Sequence, residues 1–170
     1  MTPAEQFEGL RQRSLALVCE PPPRDDPDLL SHPVLQDPML LALPIGHPLA
    51  TKEELTPADL HEQEWIITGG QPDQVNKRDD FLAQCGDAGF TPRLALEATD
   101  PLGVLGLVSA GLGLAMVQGS LKASAGPSVA LRRLDWFRPS VRLWAAWHRV
   151  DLRPIVGIFR ERVLALADKA

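Results

Sequence analysis

Residues 65–117, WIITGGQPDQVNKRDDFLAQCGDAGFTPRLALEATDPLGVLGLVSAGLGLAMV, decide the fold class. Trp65 to Thr68 is a short apolar run ended by Gly69-Gly70, as expected of a buried strand. From Asp73 to Ala88, Val75, Phe81, Leu82 and Cys85 mark the inner face of a helix that Gly89 stops. Arg93 to Ala98 reads as a strand. Asp100 as N-cap and Pro101 at the first helical position then open a helix that ends at Gly111. Leu114 to Val117 is the next strand. Strand, helix, strand, helix, strand is the pattern of a parallel α/β sheet with right-handed crossovers.

Outward from this stretch the signals shorten. Thr2, Pro3 and Glu5 predict a helix over 3–13 with Phe7 and Leu10 on its apolar face. Leu15 to Cys19 predicts a buried strand. Glu20 to Ser31 is rich in Pro and Asp and predicts a loop. Val34 and Met39 to Leu43 suggest strand again. Prolines at 44, 48 and 57 make residues 44–64 a connector with one short helix near Pro57–His61. Val129 to Leu134 and Val141 to Trp147 show partial period-two alternation. Ile155, Ile158, Phe159, Val163 and Leu166 recur at helical spacing over 153–168.

The 170 residues are 45% hydrophobic and 23% charged, an ordinary globular mix that supports a core without staples. The net charge of −5 and the dispersed basic residues argue against direct nucleic-acid contact. Two cysteines, Cys19 and Cys85, are too few for a disulfide framework, so two reduced, partly buried thiols are expected. Met1 to Glu8 lacks the basic start and apolar core of a signal peptide, and no apolar run reaches the ~20 residues of a membrane span. A cytoplasmic location is expected.

Catalytic and cofactor motifs are missing. His32, His47, His61 and His148 show no zinc-ligand spacing. Ser120 and Ser128 lack the flanking glycines of a nucleophile elbow. Gly111-Leu112-Gly113 follows a helix and reads as a cap with a tight entry to a strand, and no Walker A sequence is present. The sequence thus predicts no enzyme, no cofactor and no metal site.

Two junctions join the carboxyl end of a strand to the start of a helix: Thr68-Gly69-Gly70-Gln71 and Thr99-Asp100-Pro101. Ligands collect at such ends in open α/β sheets, and helix N-termini offer free N–H groups to an anion. A small carboxylate held by backbone amides and the Thr68 hydroxyl is one reading. The other is that Gly69-Gly70 is simply a turn and Asp100 simply a cap.

Several segments, in order, resemble the effector-binding domain of LysR-type transcription regulators. They are Leu10 to Val18, Leu41-Ala42-Leu43-Pro44 with Gly46-His47-Pro48-Leu49-Ala50, Leu55 to Leu60 with Trp65-Ile66-Ile67, Gly89-Phe90-Thr91-Pro92, and Trp144 to Arg149 with Pro154 and Phe159. The most specific is Leu107-Val108-Ser109-Ala110-Gly111-Leu112-Gly113-Leu114-Ala115.

The resemblance implies a periplasmic-binding-protein-like fold (type 2) of two α/β lobes with an effector cleft. The first lobe would hold 1–43 and 136–170 and the second 44–135. The cleft would be lined by Thr68, Gly69 and Gly70 and by the turn at Thr99 and Asp100, with Gln71 beside them. The family's winged helix-turn-helix, its linker helix and the opening elements of the first lobe are absent from this chain, and Ser14 stands where the family commonly has Asp. The first lobe is therefore expected to be incomplete, with open sheet edges that favour a homo-oligomer. The expected role is sensing of a small, anionic effector, with DNA reached only through the absent winged helix-turn-helix and with no membrane partner. The alternative is a solute-binding protein of a transporter with the same fold.

Overall fold

The computed structural model describes residues 1–19, 26–68 and 75–167. The chain divides into two compact units, residues 1–37 with 141–170, and residues 38–140.

In the first unit, α1 spans Pro3–Arg11. Thr2 and Glu5 exchange a capping box: the Glu5 N–H donates to Thr2 Oγ1 (3.3 Å) and the Thr2 N–H to Glu5 Oε2 (2.7 Å). Phe7 and Leu10 are buried, together with Val18, Leu29 and Ala146. The strand expected over Leu15–Cys19 reduces to one antiparallel bridge, Val18 to Ala146. The Leu15 carbonyl explains why: it accepts from the Arg153 guanidinium (2.8 Å) instead of a neighbouring strand.

α5 (Pro154–Ala167) closes this unit. Val156 and Val163 are buried against Ala145 and Trp147, with Phe159 packed at the edge. Ile155 and Ile158, which the spacing placed on the same face, are 61% and 55% exposed. The buried stripe follows Val156 and Val163, seven residues apart and so two turns along one face.

The long strand β1 (Leu29–Pro44) starts in the first unit and ends in the second. The sequence suggested loop as far as Ser31 and strand only at Val34 and over Met39–Leu43, yet the strand runs unbroken from Leu29 through Pro33 and Pro38. Proline fits a strand wherever no ladder N–H is required of it. In the second unit β1 pairs antiparallel with β4 (Ala115–Gln118), Ala42 facing Ala115, and with β5 (Val129–Arg132), Leu43 facing Ala130. β6 (Ser140–His148) also pairs with β1.

A separate parallel pair, β2 (Glu64–Thr68) and β3 (Arg93–Ala98), carries the stretch from which the reading began. α3 (Val75–Asp87) and α4 (Pro101–Ser109) follow these strands. Both helices end in the same way. The Phe90 N–H reaches Cys85 O and the Gly89 N–H reaches Gly86 O. The Leu112 N–H reaches Leu107 O and the Gly111 N–H reaches Val108 O. Each is a Schellman stop with a left-handed glycine, φ 88° at Gly89 and 80° at Gly111.

The expected three-stranded parallel sheet is corrected here. Leu114 lies parallel to Trp65 for a single bridge, with the Ile66 N–H donating to Leu114 O and the Leu114 N–H to Glu64 O (both 2.8 Å). From Ala115 onward the backbone turns to the antiparallel ladder of β1.

The core of the second unit centres on Trp65, Phe90 and Phe137, with Leu41, Leu43, Leu60, Cys85 and Leu114. The rings of Trp65 and Phe90 lie 5.8 Å apart, and Phe137 meets Phe90 edge-on at 5.5 Å. Burial pushes the Cys85 thiol up to about 12, whereas Cys19 is exposed rather than partly buried. The short helix α2 (Pro57–Leu60) sits where the connector was expected to hold one. Above it the Lys52 ammonium, aided by Thr56, holds the Asp59 carboxyl at about 2.

Candidate functional site

The register of β2 on β3 sets the geometry. Glu64 faces Arg93 and Trp65 faces Leu94; the ladder then shifts so that Ile66 faces Leu96, Ile67 faces Glu97 and Thr68 faces Ala98. The shift leaves Ala95 as the extra residue. Because the strands are parallel, both carboxyl ends finish side by side. Thr68 and the Thr99–Asp100 turn therefore lie at one edge, as the α/β pattern requires. Thr68 is half-buried; Thr99 and Asp100 are exposed. Gly69, Gly70 and Gln71 lie outside the described residues.

Asp100 caps α4 completely. Its Oδ1 accepts the N–H of Leu102 (3.0 Å) and of Gly103 (2.9 Å), its carbonyl accepts the Val104 N–H (3.2 Å), and Pro101 has no N–H to place. The first turn of α4 therefore has its amides satisfied from within. Asp100→Ala should cost about 1 kcal/mol of stability by urea unfolding, and Asp100→Asn, which keeps an acceptor, only a few tenths.

Arg78 is a residue the sequence reading passed over. It reaches from α3 to Glu97 on β3 (3.2 Å), one residue before Ala98, and so brings a cation towards the same end of the pair. Among the described residues no three of His, Cys, Asp and Glu gather in a way that would hold a metal ion.

At the amino end of β2 lies a pocket of about 180 Å³, lined by Pro44, His47, Gln63, Glu64 and the 111–114 turn. Gly113 makes the turn possible. Its φ is 155°, and a Cβ there would stand 2.9 Å from the Glu64 carbonyl oxygen. Glu64 itself pairs with Arg93 (3.1 Å). Sequence reasoning took Gly111-Leu112-Gly113 as a cap and strand entry, which it is, and had no signal for the pocket beside it.

The family model described as LysR substrate binding domain matches residues 1–168. The chain belongs to the LysR substrate-binding domain family. Its similarity to curated members includes AlsR, an HTH-type transcriptional regulator of Bacillus subtilis (strain 168), at 31% identity over 156 residues, covering 92% of this chain and 51% of AlsR. Among solved structures, CbnR, a LysR family transcriptional regulator, superposes with a TM-score of 0.81 at 25% identity, covering 98% of this chain and 57% of CbnR. The effector binding domain of QuiR in complex with shikimate gives a TM-score of 0.77 at 15% identity, covering 99% of this chain and 79% of that domain. These likenesses establish the periplasmic-binding-protein-like type 2 fold expected from the sequence. This LysR substrate-binding domain spans about half the length of the curated relatives it matches.

Proposed function

We propose that this LysR substrate-binding domain senses a small anionic metabolite for a transcription regulator. The observation that carries the reading is the family match over 1–168, joined to the parallel β2–β3 pair whose carboxyl ends meet at Thr68 and Thr99. The effector is placed at that edge, with its carboxylate near the Thr68 hydroxyl, the Gly69-Gly70-Gln71 segment and the Thr99–Asp100 turn. Arg78 stands at the same end, where its charge is shared with Glu97. Asp100 contributes by fixing α4, since its Oδ1 already accepts two amides.

QuiR's domain holds shikimate, a carboxylate, which supports the ligand class. The curated relatives are transcriptional regulators, which favours sensing over transport and over catalysis. In the proposed regulator, binding shifts an equilibrium between arrangements of this domain, and a separate DNA-binding part reads the shift. A homo-oligomer belongs to the same proposal; Ile155 and Ile158 of α5 and Leu152 just before it leave exposed apolar surface for it. No helix among the described residues is long and apolar enough to cross a membrane.

Thermal melting against a panel of small carboxylates tests this. A ligand of the folded state at a hundredfold excess over its dissociation constant adds about 2.7 kcal/mol and raises the melting point. Thr68→Val keeps the shape and removes the hydroxyl, so the same ligand should bind about tenfold more weakly to it. A hit whose affinity is unchanged in Thr68→Val would move the site away from the β2–β3 edge.

A further inference from the structure

The connector after β1 is held from two sides. On one side His47 precedes the 3-10 turn Pro48–Ala50, and its imidazole Nδ1 accepts the Leu49 N–H (3.2 Å). On the other side Arg132 of β5 donates to the carbonyls of Leu49 (3.3 Å), Ala50 (2.9 Å) and Glu53 (3.1 Å). Leu49 between them is buried in the core around Trp65. His47 also lines the pocket at the amino end of β2 and is only half-buried.

An imidazole accepts at Nδ1 only while that nitrogen is unprotonated. Adding a proton there turns the acceptor into a donor aimed at another donor. The charged groups that share its surroundings are Glu64 of β2, on the same pocket, and Arg132 of β5, on the same turn. Glu64 would favour a positive charge there, but it is already paired with Arg93.

We propose that His47 is an acid-released latch: neutral, it pins the 48–50 turn to the core, and protonated, it frees the turn, lifts Leu49 and reshapes the pocket. Burial lowers the His47 pKa below its usual 6.5, in keeping with a neutral side chain in the folded protein. The folded state then binds fewer protons than the unfolded state. The latch is complete above about pH 6.5 and weakens as the pH falls through that value towards the lowered one. The inference does not depend on which effector the domain takes.

His61 and His148 accept the N–H of Thr91 and Val150 in the same way (3.2 Å each), so the readout must be local to the turn. Amide exchange of Leu49, corrected for its intrinsic rate, is followed from about pH 7.5 to about pH 5 in the full chain, in His47→Asn and in His47→Ala. Asn keeps an acceptor close to the Nδ1 position and does not titrate. Leu49 protection should fall about fivefold in the natural chain as the pH drops, the loss expected of a missing cap. It should stay level in His47→Asn and be low throughout in His47→Ala. Level protection in the natural chain, or a parallel fall in His47→Asn, overturns the latch. So does a nitrogen-15 spectrum of the natural chain with the proton on His47 Nδ1 at about pH 7.5, a result that needs no variant to fold.

Discussion

Trp65→Ala is expected to cost about 3–5 kcal/mol, a large part of the roughly 5–15 kcal/mol that stabilises a domain. Trp65 is fully buried and joins more of the second unit than its strand position alone suggests. Its ring packs against Phe81 at 5.5 Å and Phe90 at 5.8 Å, and its backbone lies between β3, opposite Leu94, and the chain at Leu114. Truncation leaves a cavity that neighbours on three elements cannot all close. Trp65→Phe is the informative partner. It keeps an aromatic ring against Phe90 and removes an indole N–H that is buried with no hydrogen-bond partner among the described residues. Losing an unpaired buried donor offsets part of the lost area, so Phe should cost well under half of what Ala does. Urea unfolding followed by far-ultraviolet circular dichroism reads both. Equal costs for the two variants would mean that the ring packing does not set the stability of this core.

The second large effect is Gly113→Ala, expected to cost at least about 2 kcal/mol. Two causes add: a φ of 155° that side chains avoid, and a Cβ that would sit 2.9 Å from Glu64 O and 3.1 Å from Ile66 Cγ1. The Glu64 oxygen cannot simply yield, because it accepts the Leu114 N–H. Gly111→Ala separates the causes. Its φ of 80° is also unfavourable, but a Cβ there meets nothing within 4 Å. That variant should cost about 1 kcal/mol, the price of the left-handed conformation alone. If the two substitutions cost the same in urea, the collision with Glu64 is relieved by movement and the turn is softer than its geometry implies.

The sequence was legible wherever one local rule governed a segment. Thr2 with Glu5, Asp100 with Pro101, and Gly89 and Gly111 at their helix ends were readable because a cap involves residues a few positions apart. The β3 bounds were readable from the apolar run. What failed depended on distant partners. Leu15–Cys19 looked like a strand until Arg153, far along the chain, took the Leu15 carbonyl. The start of β1 at Leu29 and its continuity past Pro33 and Pro38 were missed because nothing local says which N–H groups a ladder needs. The third strand of the parallel set was misjudged because pairing with β1 competes with pairing to β2, and the competition is decided by residues 39–42. At the candidate site, adjacency of Thr68 and Thr99 followed from the parallel order, whereas Arg78 needed the α3–β3 packing to be seen. The resemblance to the LysR family supplied the fold that these short signals left open.

The contrast between the two cysteines has a practical meaning. Burial holds the Cys85 thiol at about 12, so at neutral pH it stays protonated, and it is fully buried in the core that contains Phe90. Cys19 is in solvent. A thiol-modifying reagent therefore counts one sulfur on the folded chain and two on the unfolded chain. The second count appears only as fast as the core opens, so the molecule carries its own clock for unfolding, one that needs no engineered label.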